Sequence, residues 1–371
     1  MNKRLITSFL IFFSLTLNVV TGQNLRIYNK NVPLRVGAHF YDYQNYHNIA
    51  YFHGGLDLVA PAGTNVYTPI SGTVQVYDYT INAVLDPPSF TYFRKPFKKG
   101  TVSTTRYLEV AVRDETTKKT WMFRHIEPIS LPDAIYTAAE NNSKIASGTL
   151  IGRVAAWIQP VLPEKDNYDH IHIEIEDEDG NYINPADYLQ LDKDYYPPVC
   201  KELYVLKTDT NRAYAYSTNN EKLLSGKVKF YILANDRMNS TRYLHSLHSI
   251  KWSFSKINNQ GKDEIVIPQK EVFAFDKLPF KGDRTQLSKV IYEDSLRING
   301  VNSSNRVRAN GSNGPRVFLI NLNSGTTLEG YSNENVLDTS TLENGTYKLK
   351  LLIQDFSRNK REKTYLFRIK N

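Results

Sequence analysis

Two short segments of this chain carry residues whose types and spacing suit metal chemistry. In the first, HGGLD, His53 and Asp57 stand four residues apart with two glycines between them. On a straight strand their side chains would be about 13 Å apart at roughly 3.3 Å per residue, which is too far for one ion. Two glycines permit a sharp bend, so the imidazole and the carboxylate can converge, and the spacing makes sense if both bind one metal.

The second segment, YDHIHIEIE, offers a third ligand. Side chains alternate between the two faces of a strand. One face of this segment therefore carries His170, His172, Glu174 and Glu176, and the other carries Ile171, Ile173 and Ile175. The isoleucines are expected to face a core, and the glutamates to be solvated or to lie behind the ligands. Imidazole is a good zinc ligand, and a catalytic zinc needs three protein ligands and one open position. Two histidines and one aspartate are therefore chemically sufficient.

The order of motifs along the first half resembles that of a known family. HGGLD is followed by APAGTNVYTPISGTV, FRHIEP, GTLIGRV, HIH and NPADYL. Over about residues 35 to 190 this order is similar to that of the lysostaphin-type or LytM-type zinc endopeptidases, the M23 family. The resemblance implies an antiparallel β-sheet peptidase core and a Zn²⁺ cofactor.

The resemblance also implies a role for each of five residues. It makes His53, Asp57 and His172 the zinc ligands. It places His125, in FRHIEP, and His170 beside the metal, where they assist proton transfer and stabilise the tetrahedral oxyanion. Which of these two histidines is the general base stays open at this point, because geometry decides it.

Three features depart from the usual pattern of the family. Phe123 stands two positions before His125, where the family usually has tyrosine. Two segments, 80–101 and 155–168, are longer than is usual in the family, and their aromatic and lysine residues are suited to binding an extended substrate. These departures concern the substrate rather than the metal.

The other histidines and the only cysteine match none of these motifs. His39 and His47 are interpreted as loop residues, and His245 and His248 as surface residues. Cys200 stands beside tandem prolines without a partner motif, so no catalytic role is expected for it. A chain with one cysteine has no internal disulfide and must be stabilised by its core.

The first 22 residues have the pattern of a secretory signal peptide. Lys3 and Arg4 precede a largely apolar run from Leu5 to Val20, and small residues follow it. Polar residues interrupt the run, whereas a membrane span wants about 20 continuous apolar residues. We expect cleavage and export to the periplasm, the cell envelope or the medium, with no transmembrane span afterwards. A retained membrane anchor is the alternative.

Short alternating strands and turn residues predict a mainly β fold in two domains. Tandem prolines in DYYPPVCKE break any regular element after residue 193. The predicted domains are therefore a peptidase domain over 23–193 and an antiparallel β-sandwich over 194–371. A short helix is expected within 131–144.

The end of the chain predicts a hairpin with one apolar face. Large apolar residues alternate along its two strands, at Tyr347, Leu349, Leu351 and Ile353 and then at Tyr365, Phe367 and Ile369. The sequence of this hairpin resembles that of the last strands in immunoglobulin-like or fibronectin-like bacterial modules.

The net charge of the chain indicates which classes of partner it could bind. Without Lys3 and Arg4, 44 of the 46 basic residues remain against 38 acidic ones, which favours anionic polymers. No basic stretch with interleaved aromatics resembles a nucleic-acid module, so no nucleic-acid partner is expected. The prediction is a secreted zinc metalloendopeptidase that cleaves peptide stems or cross-bridges of peptidoglycan.

Two alternatives to this function stay open, and the oligomeric state and the bond cleaved are not encoded in any motif. One alternative is a catalytically silent relative that regulates or scaffolds cell-wall hydrolases. The other is an extracellular protease that acts on proteins with the same catalytic residues.

Overall fold

The structure is a computed structural model, and it describes residues 26–46, 49–82, 91–99, 107–157, 168–216, 222–238, 243–278, 284–293, 295–298, 306–308, 318–324, 326–327, 330–331 and 336–371. The predicted signal peptide, His47 and large parts of the two long segments lie outside these residues.

The described residues form mostly strands. Those of the first half are β1 (Arg35–Ala38), β2 (Tyr43–Tyr46), β3 (Ile49–Phe52), β4 (Leu56–Val59), β5 (Asn65–Tyr67), β6 (Gly72–Asn82), β7 (Thr91–Pro96), β8 (Leu108–Asp114), β9 (Lys119–Ile126), β10 (Lys144–Ile145), β11 (Leu150–Arg153), β12 (His170–Glu176) and β13 (Tyr182–Ile183). Those of the second half are β14 (Val199–Lys207), β15 (Arg212–Ala215), β16 (Leu223–Leu224), β17 (Lys227–Arg237), β18 (Leu244–His245), β19 (Ser249–Ile257), β20 (Asp263–Ala274), β21 (Lys277–Leu278), β22 (Ser295–Arg297), β23 (Arg306–Arg308), β24 (Phe318–Asn321), β25 (Thr326–Thr327), β26 (Gly330–Tyr331), β27 (Leu337–Asp338), β28 (Gly345–Gln354) and β29 (Lys360–Ile369). The helices are α1 (Asp133–Glu140) and α2 (Arg284–Ile291), with 3₁₀ turns at Pro128–Ser130, Pro185–Asp187 and Thr339–Thr341.

A ten-stranded antiparallel sheet dominates the first half. Its main order is β1-β4-β12-β9-β8-β6-β10, with β7 beside β6 and β13 beside β12. The strands β4, β12 and β9, which carry the predicted site, are therefore adjacent in the middle of the sheet. The mainly β fold and the short helix α1 confirm two of the expectations from the sequence.

The isoleucines of β12 face a hydrophobic core, as predicted. Ile171, Ile173 and Ile175 are fully buried and belong to one cluster with side chains from β1, β4, β6, β8 and β9. Burying each such side chain stabilises the fold by about 1.5–3 kcal/mol. This core fixes the pleat of β12 and so directs the two histidines of the strand to the opposite face.

The second half forms two further sheets, which are antiparallel except that β16 pairs with β29 in parallel. One sheet has the order β15-β14-β17-β18, with β24 and β27 also paired to β17, and the other has the order β16-β29-β28-β19-β20. The predicted terminal hairpin is confirmed as β28 and β29. All seven apolar residues of its predicted face are buried: Tyr347, Leu349, Leu351, Ile353, Tyr365, Phe367 and Ile369.

The two halves are packed against each other. The short strand β21 of the second half pairs with β13 and so joins the large sheet of the first half. Phe40, Phe52 and Tyr182 belong to the same hydrophobic cluster as the core of the second half. The boundary between the two domains stays a prediction, because side chains from both halves share this core.

Two histidines assigned to the surface, His245 and His248, are buried, so that part of the sequence interpretation is wrong. His39 lies in the loop between β1 and β2, as interpreted, and is buried there. His39 is 1%, His245 is 0% and His248 is 2% exposed. The ring of His39 stacks on Phe356 at 4.5 Å between centroids and meets His245 edge-on at 4.8 Å. These histidines pack where the two halves meet, a contact that local sequence patterns do not encode.

Neither helix meets the requirement for a bilayer span. Both α1 and α2 have eight residues, and no described helix is long and apolar enough to cross a membrane.

Candidate metal centre

The three predicted zinc ligands converge on one point at the middle of the large sheet. Asp57 lies on β4 directly opposite His172 on β12 in the antiparallel register. His53 precedes β4, and the chain bends between it and Asp57. A carboxylate and two imidazoles of these residues offer ligand atoms that all lie within 4.8 Å of one another.

The distances among the three side chains fit one tetrahedral metal. Asp57 Oδ1 lies 2.8 Å from His172 Nδ1 and 3.1 Å from His53 Nε2, and these two nitrogens are 3.0 Å apart. Three donors held about 2.0–2.1 Å from one tetrahedral zinc are about 3.4 Å from each other. A shift of a few tenths of an ångström would open the triangle to that size, so the residues present fit zinc.

Both imidazoles are oriented by their outer nitrogens. His53 Nδ1 donates to the backbone carbonyl of His39 at 2.9 Å. His172 Nε2 donates to Glu174 Oε1 at 3.2 Å. In the neutral imidazoles that a metal binds, each outer nitrogen carries the proton, and the lone pairs of His53 Nε2 and His172 Nδ1 face each other and Asp57. Such outer contacts fix the tautomer of a metal-binding histidine.

The Asp57 carboxylate is the negatively charged group of this centre. Burial opposes ionisation of Asp57, but the imidazoles of His53 and His170 and hydrogen bonds from His172 and His53 outweigh it and hold the pKa of Asp57 well below its usual range. Tyr168 donates its hydroxyl to Asp57 Oδ2 at 2.9 Å. For His172, burial lowers the pKa, and hydrogen bonds to Asp57 and Glu174 outweigh burial and raise it.

Gly55 is required by a close approach. A Cβ at this position would lie 2.2 Å from the carbonyl oxygen of Ile173 and 2.9 Å from His172 Nε2. The segment between His53 and Asp57 thus runs against the backbone of β12, and only glycine leaves room for it. This contact explains one of the two glycines of the HGGLD motif.

A β-bulge directs His125 towards the metal centre. Along the pairing of β8 with β9, Val110 lies opposite Phe123 but Leu108 lies opposite Ile126, so β9 has one extra residue. His125 sits in this bulge with φ 68°, in the left-handed region that a residue other than glycine rarely adopts. Bulges and such backbone strain concentrate at sites where a side chain is re-aimed for function.

His125 and His170 lie side by side next to the ligands. Their ring centroids are 4.6 Å apart, and the centroid of His125 is 6.0 Å from that of His172. His170 Nδ1 donates to the carbonyl of Tyr168 at 2.7 Å, and its Nε2 lies 3.6 Å from Asp57 Oδ1. The structure thus brings all five predicted site residues together.

Burial keeps these two imidazoles neutral. It is the largest influence on both, and the charges of neighbouring histidines act in the same direction, so the pKa of His125 falls well below its usual value and that of His170 is also lowered. A neutral imidazole accepts a proton, which is the form that a general base needs.

The ion pairs behind His172 are not predicted from the sequence, which indicates only that Glu174 is either solvated or behind the ligands. Glu174 is fully buried, and its second oxygen forms an ion pair with Arg124 Nη1 at 2.7 Å. Arg124 Nε also donates to Glu109 at 2.7 Å, and Glu109 pairs with Arg94. The signal was available in the alternation itself, because Glu174 follows His172 on the same face of one strand.

Phe123 lies away from the metal centre. Its side chain is fully buried in the hydrophobic cluster on the isoleucine face of the sheet, and it lies opposite Ile173 on β12. A tyrosine side chain at this position would therefore point into the hydrophobic core, on the face of the sheet opposite the metal centre. Tyr107, by contrast, lies beside His125, with ring centroids 5.1 Å apart.

Aromatic side chains cover the centre. Trp157 stacks on Tyr107, and its ring centroid lies 4.8 Å from those of both His125 and His170. The Trp157 backbone N–H donates to Asp169 Oδ1 at 2.7 Å, which fixes the start of this cover. The five site residues are only 3–7% exposed as a result.

The segment 80–101 is partly described. Its first residues extend β6, and Thr91–Pro96 forms β7, which pairs with β6. Residues 83–90 and 158–167 lie outside the described residues, so the expected grip on a substrate stays a prediction.

Comparison with known proteins adds no relative to this picture. No protein-family model matches the chain, and a search of curated proteins finds no match.

Proposed function

We propose that this chain is a zinc metalloendopeptidase with a peptidase core of the LytM type followed by an immunoglobulin-like β-sandwich. Its substrates in this proposal are peptide bonds in the stems or cross-bridges of bacterial peptidoglycan. The observation that carries the proposal is the convergence of His53, Asp57 and His172 with their inner donor atoms 2.8–3.1 Å apart and two further imidazoles beside them.

The donor set supports zinc as the metal. Two imidazole nitrogens and one carboxylate oxygen form a set typical of catalytic zinc, which keeps a fourth position open. When bound, zinc supplies a Lewis acid for the scissile carbonyl and acidifies water at neutral pH.

The two remaining histidines take on proton transfer and charge stabilisation in this proposal. His170 carries its proton on Nδ1, towards Tyr168, so Nε2 is available to accept a proton from the attacking water. His125, whose ring centroid is 4.6 Å from that of His170, is the group that would donate to the oxyanion that develops at the carbonyl. Loss of either group is expected to lower turnover by about 10²–10⁴-fold.

The burial of the site favours a second candidate, a catalytically silent regulator or scaffold of cell-wall hydrolases. With the five residues 3–7% exposed, a peptide strand reaches them only after Trp157 and its neighbours move. An extracellular protease acting on proteins would use the same residues, so only the substrate separates it from the first candidate.

The test is mass spectrometry of fragments released from purified peptidoglycan by the mature protein, residues 23–371. We expect peptide-cleaved fragments that disappear with a zinc chelator and with His172→Ala. His170→Ala is expected to keep its zinc and to lose turnover.

Two outcomes would reject this proposal. A folded, zinc-loaded protein that releases no fragment from peptidoglycan would favour the silent regulator, or the protein protease if it cleaves a Gly-rich peptide instead. Variants His172→Ala and His170→Ala as active as the wild type would reject the site itself.

A further inference from the structure

A second group of acidic side chains lies apart from the metal centre, where the segment after residue 193 meets the sandwich. Asp194 precedes β14, Asp236 lies near the end of β17, and Asp355 begins the turn between β28 and β29. Each offers a carboxylate oxygen within 4.8 Å of an oxygen of the other two. Their exposures are 8%, 2% and 0%, so three carboxylates are buried together.

Neutral donors satisfy two of these carboxylates. Asp355 accepts from the backbone N–H of Asn359 at 2.8 Å and from its side-chain amide at 2.9 Å. Asp194 Oδ1 accepts from the backbone N–H of Tyr196 at 3.1 Å, and the Asn359 amide also reaches Asp194 Oδ2 at 3.4 Å. These amide donors orient the oxygens without cancelling their charge.

Asp236 is different, because one of its oxygens is buried without a donor. Among the described residues Asp236 Oδ1 has no hydrogen-bond partner. A buried polar atom without a partner costs about 1–3 kcal/mol, and more when the group is charged, so native proteins rarely retain one without a ligand or water.

The electrostatics of the cluster also call for a positive partner. Burial and the charges of Asp355, Asp194 and Asp42 raise the pKa of Asp236 to about 8. Burial raises the pKa of Asp355 to about 6, although hydrogen bonds from Asn359 oppose that rise. Three carboxylates so close together are stable only when protons or a cation reduce their repulsion.

We propose that Asp194, Asp236 and Asp355 bind a divalent cation of the calcium class. The donors are all carboxylate oxygens, which hard cations prefer, whereas zinc sites in proteins usually include nitrogen or sulfur. Calcium holds its oxygens at about 2.3–2.6 Å, so two of them lie no more than about 5 Å apart. The separations in this cluster fall within that limit.

This cation would fasten three segments that are far apart in sequence. It would join the start of the segment after the first sheet to β17 and to the turn of the terminal hairpin. Asp236 on β17 pairs with His245 on β18. His245 Nδ1 in turn lies 3.3 Å from Asp42 Oδ2 of the first half. Cation binding is therefore expected to stabilise the region where the two halves meet.

The test measures calcium binding to the full mature chain after removal of metals and reloading with zinc. Isothermal titration calorimetry with CaCl₂ is expected to show one site. The melting temperature is expected to rise with the logarithm of the calcium concentration above the dissociation constant. The same titration with MgCl₂ is expected to give weaker binding, because magnesium demands a tighter octahedral shell.

Asp236→Asn provides the critical variant. It keeps the shape of the side chain and removes one charge, so calcium affinity is expected to fall by about tenfold or more. Without calcium, its melting temperature is expected to equal or exceed that of the wild type, because repulsion in the cluster is reduced. Asp263→Asn is the matched control, since this aspartate is solvent-accessible and pairs with Lys348.

Two results would overturn the inference. One is a folded wild type that binds no calcium and shows no thermal shift, which would leave shared protons as the neutralising partner. The other is Asp236→Asn binding calcium as tightly as the wild type. His172→Ala is expected to retain the calcium response, so failure of the zinc proposal and failure of this one give different results.

Discussion

At the scale of single residues, Gly55 gives a sharp prediction. A methyl group at this position meets the Ile173 carbonyl and the His172 ring, so either β4 or β12 must shift. Gly55→Ala is therefore expected to destabilise the fold by about 1–3 kcal/mol through overpacking. It is also expected to weaken zinc binding. Thermal denaturation and competition with a chromophoric zinc chelator measure the two effects, and unchanged values for both would contradict the close approach.

Glu174 gives a second prediction at this scale. It accepts from His172 Nε2 and pairs with Arg124, so it orients a proposed metal ligand from behind. Glu174→Gln keeps an acceptor but removes the charge, and zinc affinity is expected to fall by about 10–100-fold. Glu176→Gln is the matched control, because Glu176 lies two residues further along the same face and is partly exposed. Equal affinities for the two variants would argue against this role.

The residues of the candidate metal centre differ in how well the sequence encodes them. Alternation in YDHIHIEIE is a local property, so the faces of β12 follow from the sequence alone. The convergence of His53, Asp57 and His172 was predicted from motif order. The roles of Tyr168 and of the His39 carbonyl depend on neighbours brought in from other strands, and no pattern in the sequence indicates them.

At the scale of elements, the aromatic cover over the site predicts slow exchange of the metal. Trp157 stacks on Tyr107 and contacts His125 and His170. Trp157→Ala removes this ring, so a chelator is expected to extract zinc several-fold faster than from the wild type. Tyr195→Ala is the control, because that ring is 67% exposed. Identical extraction rates for wild type and Trp157→Ala would mean that the ring does not limit access.

The strands themselves were more predictable than their irregularities. The terminal hairpin and β12 alternate in the sequence. The structure reproduces the buried face of the hairpin and places the isoleucines of β12 in the hydrophobic core, although both faces of β12 are buried. The bulge at His125 has no such signal, because FRHIEP reads as an ordinary strand end. Bulges arise from pairing with a partner strand, in this case β8, which lies outside any local window.

At the scale of the whole molecule, the shared core between the halves predicts that the first half is unstable alone. Without the second half, β13 loses its partner β21, and Phe40, Phe52 and Tyr182 lose much of their cover. Residues 23–193 produced alone are expected to aggregate or to melt below the mature chain. Light scattering and thermal denaturation test this, and a monodisperse fragment with the same melting temperature would contradict it.

The arrangement of the halves is the part that the sequence predicts least. Prolines after residue 193 mark a break in regular structure, but they do not indicate that side chains on both sides of it share a core. The buried positions of His39, His245 and His248 follow from that contact. The sequence interpretation places His245 and His248 on the surface because long-range packing is not visible in local patterns.

The central claim is that one zinc ion is held by His53, Asp57 and His172. The most direct test is elemental analysis of zinc per chain in the purified mature protein, in His172→Ala and in His170→Ala. We predict about one equivalent in the wild type and in His170→Ala, and almost none in His172→Ala. A wild type that never holds zinc, or a His172→Ala variant that holds as much as the wild type, would contradict the claim.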